Sequence, residues 1–331
     1  MNKKWMMLLM AAMLSILVAA CGSAETAAPN TQAASETPAA EGTDANTAAE
    51  EEVTIKHQLG EATVKKNPQT VVVFDFGVLD SLDKLGIEVT GVAQANIPPY
   101  LSKFEDSKYK NIGSLKEPDF EGINAMKPDV IFISGRQQEA YEELNKIAPT
   151  IFLGVDTSNY MESFKENMNV LGKVFGKEAE VEAELAKIDD SIKQLQEKTA
   201  AAQDKTALII LANEGKISAY GSGSRFGILH DVFGFKPVDE SIEVTTHGQS
   251  ISFEYIVEKD PDYLFVVDRS VINADGGSAA KQLLDNDLMK NTKAYKNDNI
   301  VYLDSNYWYL SGGGLVSTSN MASEVLENVN W

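Results

Sequence analysis

EGINAMKPDVIFISGR, residues 121–136, recurs 133 positions later as EYIVEKDPDYLFVVDR, residues 254–269. The pairs that keep this offset are Glu121 and Glu254, Pro128 and Pro261, Asp129 and Asp262, Phe132 and Phe265, Arg136 and Arg269. Each copy reads as a short helix, a Pro-Asp turn, a buried apolar strand, and an arginine at the C-terminal end of that strand. Five matches in one register over 16 residues argue for two similar α/β lobes. Both arginines then stand where open α/β sheets bind ligands, beyond the carboxyl ends of the strands.

The flanking segments extend the pattern. Val71 to Phe74 is a buried-strand run, and Asp75-Phe76-Gly77 turns into a helix that stops at Gly86. Val89 to Val92 predicts the next strand, and Pro98-Pro99 marks a loop. After the first copy come a helix over Gln137 to Ile147 and a strand over Thr150 to Gly154. In the second half, Ala207 to Leu211 opens a new series and Asn299 to Leu303 closes it. Phe226-Gly227-Ile228-Leu229 echoes Phe76-Gly77-Val78-Leu79 at an offset of 150.

Between the halves the alternation breaks. Asn159 with Glu162 spells a capping box, and Met161, Phe164, Met168, Leu171 and Phe175 fall on one helical face before Gly176. Val181, Leu185, Ile188, Ile192 and Leu195 define a further helix. The expected fold is α/β: two similar lobes with mainly parallel, helix-covered sheets, joined by a single long helix. The lobes are placed at 53–158 and 177–331, with the connecting helix at 159–176. One helical crossover makes a stiff hinge.

The N-terminus belongs to neither lobe. Lys3 and Lys4 precede an apolar run from Trp5 to Val18, and Ala19-Ala20-Cys21-Gly22 supplies small residues for cleavage. Residues 1–20 thus read as an export signal, too short for a convincing membrane span. Cys21 is the only cysteine, so no intramolecular disulfide is possible. Val18-Ala19-Ala20-Cys21 resembles a bacterial lipobox with Val18 where leucine is usual, which makes Cys21 the expected lipidation site. Residues 22–52 carry seven acids and no base among Ala, Thr and Pro, and 21–52 is expected to be a lipid-anchored, disordered tether.

Charge and motif content exclude several classes. A formal net charge of −20 makes nucleic acid a poor partner, so any anionic ligand has to be caught by a local positive cleft. Gly248-Gln249-Ser250-Ile251-Ser252 fails as a nucleophile elbow at its last position. Gly221-Ser222-Gly223-Ser224-Arg225 lacks the lysine of a phosphate loop. There are three histidines, with no HExxH and no cysteine pair, so no resident metal or other intrinsic cofactor is expected. His57 and His230 read as packing or solvated residues. His247, in the loop Thr245–Gln249, is the better candidate, with a loop imidazole bonded to backbone as the competing reading.

The arginines are the sharper signal. Arg136 and Arg269 hold equivalent places in the two lobes, and Arg225 sits at the turn before the Phe226 helix. A guanidinium at a strand end can simply pair with a carboxylate; the symmetric placement sets beside that reading, on equal terms, a shared anion, which arginine grips through a fixed charge and a planar fork of donors. Tyr307-Trp308-Tyr309 precedes a glycine-rich loop, Ser311–Gly314, that lets an aromatic ring face a cleft.

Over roughly Val53 to Asn330 the chain resembles the catecholate-siderophore-binding lipoproteins of bacterial ABC importers, and most closely their petrobactin-binding members. The segments that carry the likeness include Val72–Gly77, Ile133–Gln137, Ser224–Gly227, Thr246–Ser250, Pro261–Arg269 and Tyr307–Leu310. The resemblance implies two lobes bridged by one long helix, with an Fe3+-siderophore complex in the cleft. It also implies a basic triad of Arg136, Arg225 and Arg269 on the catecholate oxygens. His247 and Tyr309 match side chains that complete ferric coordination when a siderophore leaves iron sites open. Glu121 and Glu254 match the glutamates that meet arginines of the ABC permease; a solvated carboxylate at a helix N-terminus is their alternative reading.

The expectation is a monomeric, non-enzymatic receptor, lipid-anchored on the extracytoplasmic face of the cell membrane. Haem or cobalamin capture on the same fold is the nearest competitor. A surface siderophore esterase is the competitor of a different class.

Overall fold

The computed structural model describes residues 51–272 and 279–331. The export signal, Cys21 and most of the tether lie outside them, although Glu52, assigned to the tether, is already the first residue of a strand. That strand, β1 (Glu52–His57), pairs antiparallel with β2 (Gly60–Lys65) in a hairpin that the sequence reading does not anticipate. The first lobe continues through β3 (Val71–Val73), α1 (Phe76–Lys84), β4 (Gly91–Val92), β5 (Lys110–Asn111), α2 (Phe120–Met126), β6 (Val130–Ile133), α3 (Tyr141–Ile147) and β7 (Thr150–Phe152). Its sheet is parallel throughout, in the order β5-β4-β3-β6-β7.

Two helices lead out of this lobe, α4 (Tyr160–Phe175) and α5 (Glu178–Ala201). The second lobe holds β8 (Thr206–Asn213), β9 (Lys216–Tyr220), α6 (Ile228–Asp231), β10 (Lys236–Pro237), β11 (Gln249–Ile251), α7 (Phe253–Lys259) and β12 (Tyr263–Asp268). After it come α8 (Ala279–Leu284), α9 (Lys293–Lys296), β13 (Ile300–Leu303) and the final helix α10 (Leu315–Asn328). The sheet order is β11-β9-β8-β12-β13, with β10 beside β8. Strands β10, β8, β12 and β13 are parallel, whereas β9 is reversed and pairs antiparallel with β8 on one side and β11 on the other. The chain is thus α/β, with two similar lobes of mainly parallel sheet.

The repeated stretch explains the likeness of the lobes. In each copy the helix ends on a left-handed residue, Lys127 at φ 51° and Asp260 at φ 46°, directly before the proline. The following aspartate reaches across to the start of the neighbouring strand. Asp129 accepts the N–H groups of Gln69 and Thr70 at 2.8 Å each, and Asp262 accepts that of Thr206 at 2.9 Å. Asp129 and Asp262 also donate their own N–H groups to Thr70 and Thr206. A sixth equivalence joins the five: Ile123 and Ile256 are both fully buried under their helices. Strands β6 and β12 are buried along their whole length, as central parallel strands must be.

The capping box at Asn159 does not form. A 3-10 turn over Thr157–Asn159 precedes α4, and the Asp156 carboxylate accepts the Ser158 N–H instead. Otherwise α4 buries the expected face through Phe164, Met168 and Leu171, all fully enclosed, each contributing about 1.5–3 kcal/mol. Gly176 ends it in the left-handed conformation and α5 follows at once. The final helix then lies along α5 and against α1, so the chain returns to the first lobe at its close.

Candidate ligand-binding cleft

Each arginine is presented by a short, self-bonded turn at the end of a strand. Ser134, after β6, takes the Gln137 side chain on its N–H at 3.1 Å and donates its hydroxyl to Asp75 at 2.6 Å. The 3-10 turn Gly135–Ala140 then carries Arg136. In the second lobe Asp268, at the end of β12, accepts the Ser270 N–H at 3.0 Å, and Arg269 opens the 3-10 turn Arg269–Ile272. Arg225 comes from the glycine-rich turn before α6. The Gly223 carbonyl of that turn accepts the hydroxyl of Thr157, beside the start of α4, at 2.9 Å.

The three cations meet on Tyr309. Its π-helical turn, Asn306–Leu310, is held from behind by Glu324, which accepts the Trp308 indole N–H and the Asp304 N–H at 2.8 Å each. The Tyr309 carbonyl accepts Nη2 of Arg136 at 2.8 Å and Nη2 of Arg225 at 2.6 Å. Arg136 Nη1 also reaches the Leu310 carbonyl at 3.3 Å. Cζ of Arg225 lies 4.0 Å from the centre of the Tyr309 ring, and that of Arg269 lies 5.6 Å away. One residue thus touches guanidinium groups from both lobes.

That convergence is electrostatically costly without an anion. Two guanidinium nitrogens on one carbonyl oxygen stand within about 5.5 Å of each other, a repulsion on the order of 3 kcal/mol at an effective dielectric near 20. Burial, and next the Arg136 charge, lower the Arg225 pKa from its ordinary value. The half-buried guanidinium stays charged, because arginine does not titrate in the physiological range. An entering polyanion is attracted by all three.

The cleft beside these groups has a volume of about 270 Å3 and is walled by Asn96, Leu115, Lys116 and Ile272 as well as Arg136, Arg269 and Tyr309. Gln137 donates to the Leu115 carbonyl, which ties the Arg136 turn to that wall. Lys116 is a fourth cation at the cleft that the sequence reading misses; it lies in the loop just ahead of the first repeat copy, with no counterpart at the offset of 133. A larger cavity of about 520 Å3 lies near the C-terminus, lined by Phe235, Tyr263 and Trp331. The smaller cleft is the better candidate because Arg136 and Arg269 line it, and Arg225 meets them on Tyr309 at its wall.

The remaining candidates are placed differently. His247 is exposed in the Thr245–Gly248 turn, and no hydrogen bond or ring contact joins it to Tyr309 or the arginines. No group of three His, Cys, Asp or Glu side chains able to hold a metal occurs among the described residues. Glu121 and Glu254 are exposed in the first turns of α2 and α7, at equivalent sites in the two lobes. Trp308 faces the core rather than the cleft, packing edge-on against Phe233. His57 packs against Tyr141, and His230 is buried with Nδ1 2.9 Å from the Phe235 carbonyl.

Two α/β lobes linked through helices, with fixed cations converging between them, define a solute-binding protein rather than a catalyst. The chain matches the Periplasmic binding protein family over residues 71–307, and it belongs to that family. It is 49% identical over 331 residues to the petrobactin-binding protein YclQ of Bacillus subtilis, covering 99% of each chain. The crystal structure of that protein superposes with a TM-score of 0.81 at 53% identity, covering 85% of this chain and 99% of the other. The periplasmic catecholate-siderophore binding protein VctP of Vibrio cholerae superposes with a TM-score of 0.80 at 39% identity, covering 84% and 100%.

Proposed function

We propose that this protein captures a ferric catecholate siderophore of the petrobactin type in the arginine cleft and delivers it to an ABC permease. The observation that carries the reading is the meeting of Arg136, Arg225 and Arg269 on Tyr309. A ferric catecholate is a compact polyanion whose oxygens suit planar guanidinium donors. In a partly shielded cleft each such contact is worth more than in water. The names of the relatives favour the same ligand class. A corrinoid or haem concentrates less negative charge and makes weaker use of three cations.

Iron is cargo in this reading. A siderophore that supplies all six donors needs no protein ligand, which agrees with the exposed position of His247. Tyr309 stands close enough to the cations to complete the coordination of a siderophore with fewer donors. Glu121 and Glu254 serve as permease contacts, one per lobe. Cys21 carries the lipid that holds a monomeric receptor at the outer face of the membrane.

A fluorescence titration tests the ligand. Ferric petrobactin, a ferric bis-catecholate, a ferric hydroxamate and haem are compared; catecholates quench the protein's fluorescence, and Arg136→Ala, Arg225→Ala and Arg269→Ala each weaken binding about tenfold or more, the scale of one lost charge-assisted contact. Glu121→Ala and Glu254→Ala leave binding intact and reduce cellular uptake. Quenching by haem with none by any catecholate would sink the reading.

A further inference from the structure

Asp80 lies in the middle of α1, fully buried, and its partners come from the far end of the chain. Its carboxylate accepts the N–H groups of Val316 at 3.2 Å and Ser317 at 3.0 Å, in the first turn of α10, together with the Tyr100 hydroxyl at 3.1 Å. The next residue, Ser81, accepts the Leu315 N–H at 2.9 Å. A carboxylate at the start of a 14-residue helix satisfies otherwise orphaned donors and complements the helix dipole. The approach is close enough to require glycine on both sides. A Cβ at Gly314 would collide with Asp80 Oδ1, and one at Gly77 would lie 2.6 Å from the Ser311 carbonyl and 2.9 Å from the Gly314 nitrogen.

From this lock a short chain of bonds runs to the turn that carries Tyr309. Ser317 Oγ donates to the Ser311 carbonyl at 2.6 Å and accepts the Gly314 N–H at 3.0 Å. The Ser311 N–H donates to the Asn306 carbonyl, closing the π-helical turn that carries Tyr309. We propose that Asp80 is a positioning residue of the binding cleft: by fixing the start of α10 it sets the Tyr309 turn on which the arginines of both lobes converge. The proposal takes the arginine cleft as the binding site.

The same carboxylate makes the positioning pH-sensitive. Burial outweighs its hydrogen bonds and raises Asp80 to about 7. The titratable groups around it are the tyrosines Tyr100, Tyr160 and Tyr307 and the α1 cap Asp75, so the cluster supplies no cation to hold Asp80 ionised. On protonation, one oxygen becomes a donor and both become weaker acceptors for the helix N–H groups they face.

The test combines two measurements on Asp80→Asn and Ser317→Ala, the second leaving Asp80 itself in place. Hydrogen exchange on the unliganded protein is expected to speed up about tenfold across 306–317 in both variants, with α4 and α5 unchanged. Ferric petrobactin binding between pH 6 and 8 is expected to weaken about tenfold in both. Asp80→Asn alone is expected to lose the pH dependence of binding that the parent protein and Ser317→Ala show. Unchanged exchange at 306–317 in both folded variants, or a parental affinity and pH profile in Asp80→Asn, would overturn the proposal. If the parent protein binds no siderophore, the reading of the cleft fails, and the exchange measurement still decides the positioning role.

Discussion

Tyr309 offers its carbonyl to Arg136 and Arg225 and its ring to Arg225 and Arg269, so the chemistry of the cleft depends on shape as well as charge. Arg225 is the sharpest case. It donates in the plane of its fork and stacks at 4.0 Å on the ring. A lysine keeps the charge and loses both the fork and the stacking. Arg225→Lys is therefore expected to bind ferric siderophore about 5–30-fold more weakly, between the parent protein and Arg225→Ala, given 1.4 kcal/mol per tenfold change. Equal binding by Arg225→Lys and the parent protein in the same titration would show that a point charge suffices. Arg136 and Arg269 are legible from sequence because both end buried strands in register. Arg225 and Tyr309 stood out locally, at a turn and beside a glycine-rich loop, but their meeting with the others was not legible, since it happens across the fold. Asp80 was not legible at all, because the segment that buries it lies 236 residues away.

The elements show where local sequence is enough. The Pro-Asp turn of each repeat copy is decided within a few residues, by a left-handed helix end, a proline, and an aspartate that pins the adjacent strand. Asp129 holds two backbone N–H groups, while Asp262 holds one backbone N–H and, at 3.3 Å, the Thr206 hydroxyl. Asp129→Ala is accordingly expected to cost about 2–3 kcal/mol and Asp262→Ala about 1–2 kcal/mol of folding stability. Urea denaturation measures both; equal, negligible losses would remove the stapling role. Two hairpins escaped the sequence reading for different reasons. The alternation of β1 and β2 buries only Ile55, Ala62 and Val64, and it follows directly on the acidic tether. The turn between β8 and β9 uses Glu214 and Gly215 at φ 51° and 78°, a two-residue turn with both residues left-handed but without the asparagine or aspartate that normally signals it.

At the scale of the whole molecule, the segments behind the cleft contain acids that folding disfavours as anions. Burial raises both Asp80 and Glu324 to about 7. The folded protein therefore holds protons that the unfolded chain releases near pH 4, and the contribution of each acid to stability falls as pH rises from about 4 to about 7. Lowered histidines at His57 and His230 act in the opposite sense below their ordinary pKa, so a difference between variants is the cleaner measurement. Relative to the parent protein, Glu324→Gln is expected to gain on the order of 2 kcal/mol between pH 5 and 8 in urea denaturation. A constant difference across that range would place Glu324 in the ordinary carboxylate range. The mainly parallel architecture was legible because buried strands alternate with helices. The return of the last helix to the first lobe was not, because no local signal states which helix an amphipathic helix will meet.

That return gives the molecule an order in time. Asp80 is made early, and its partners Val316 and Ser317 are made near the end of the sequence, 236 and 237 positions later. While the chain is being produced, α1 has a solvated carboxylate where the finished protein has a helix start, and Tyr309 has no fixed turn to sit on. The first lobe is thus completed by the last helix. A product interrupted before Leu315 retains all three arginines and lacks the α10 start that pins the Tyr309 turn.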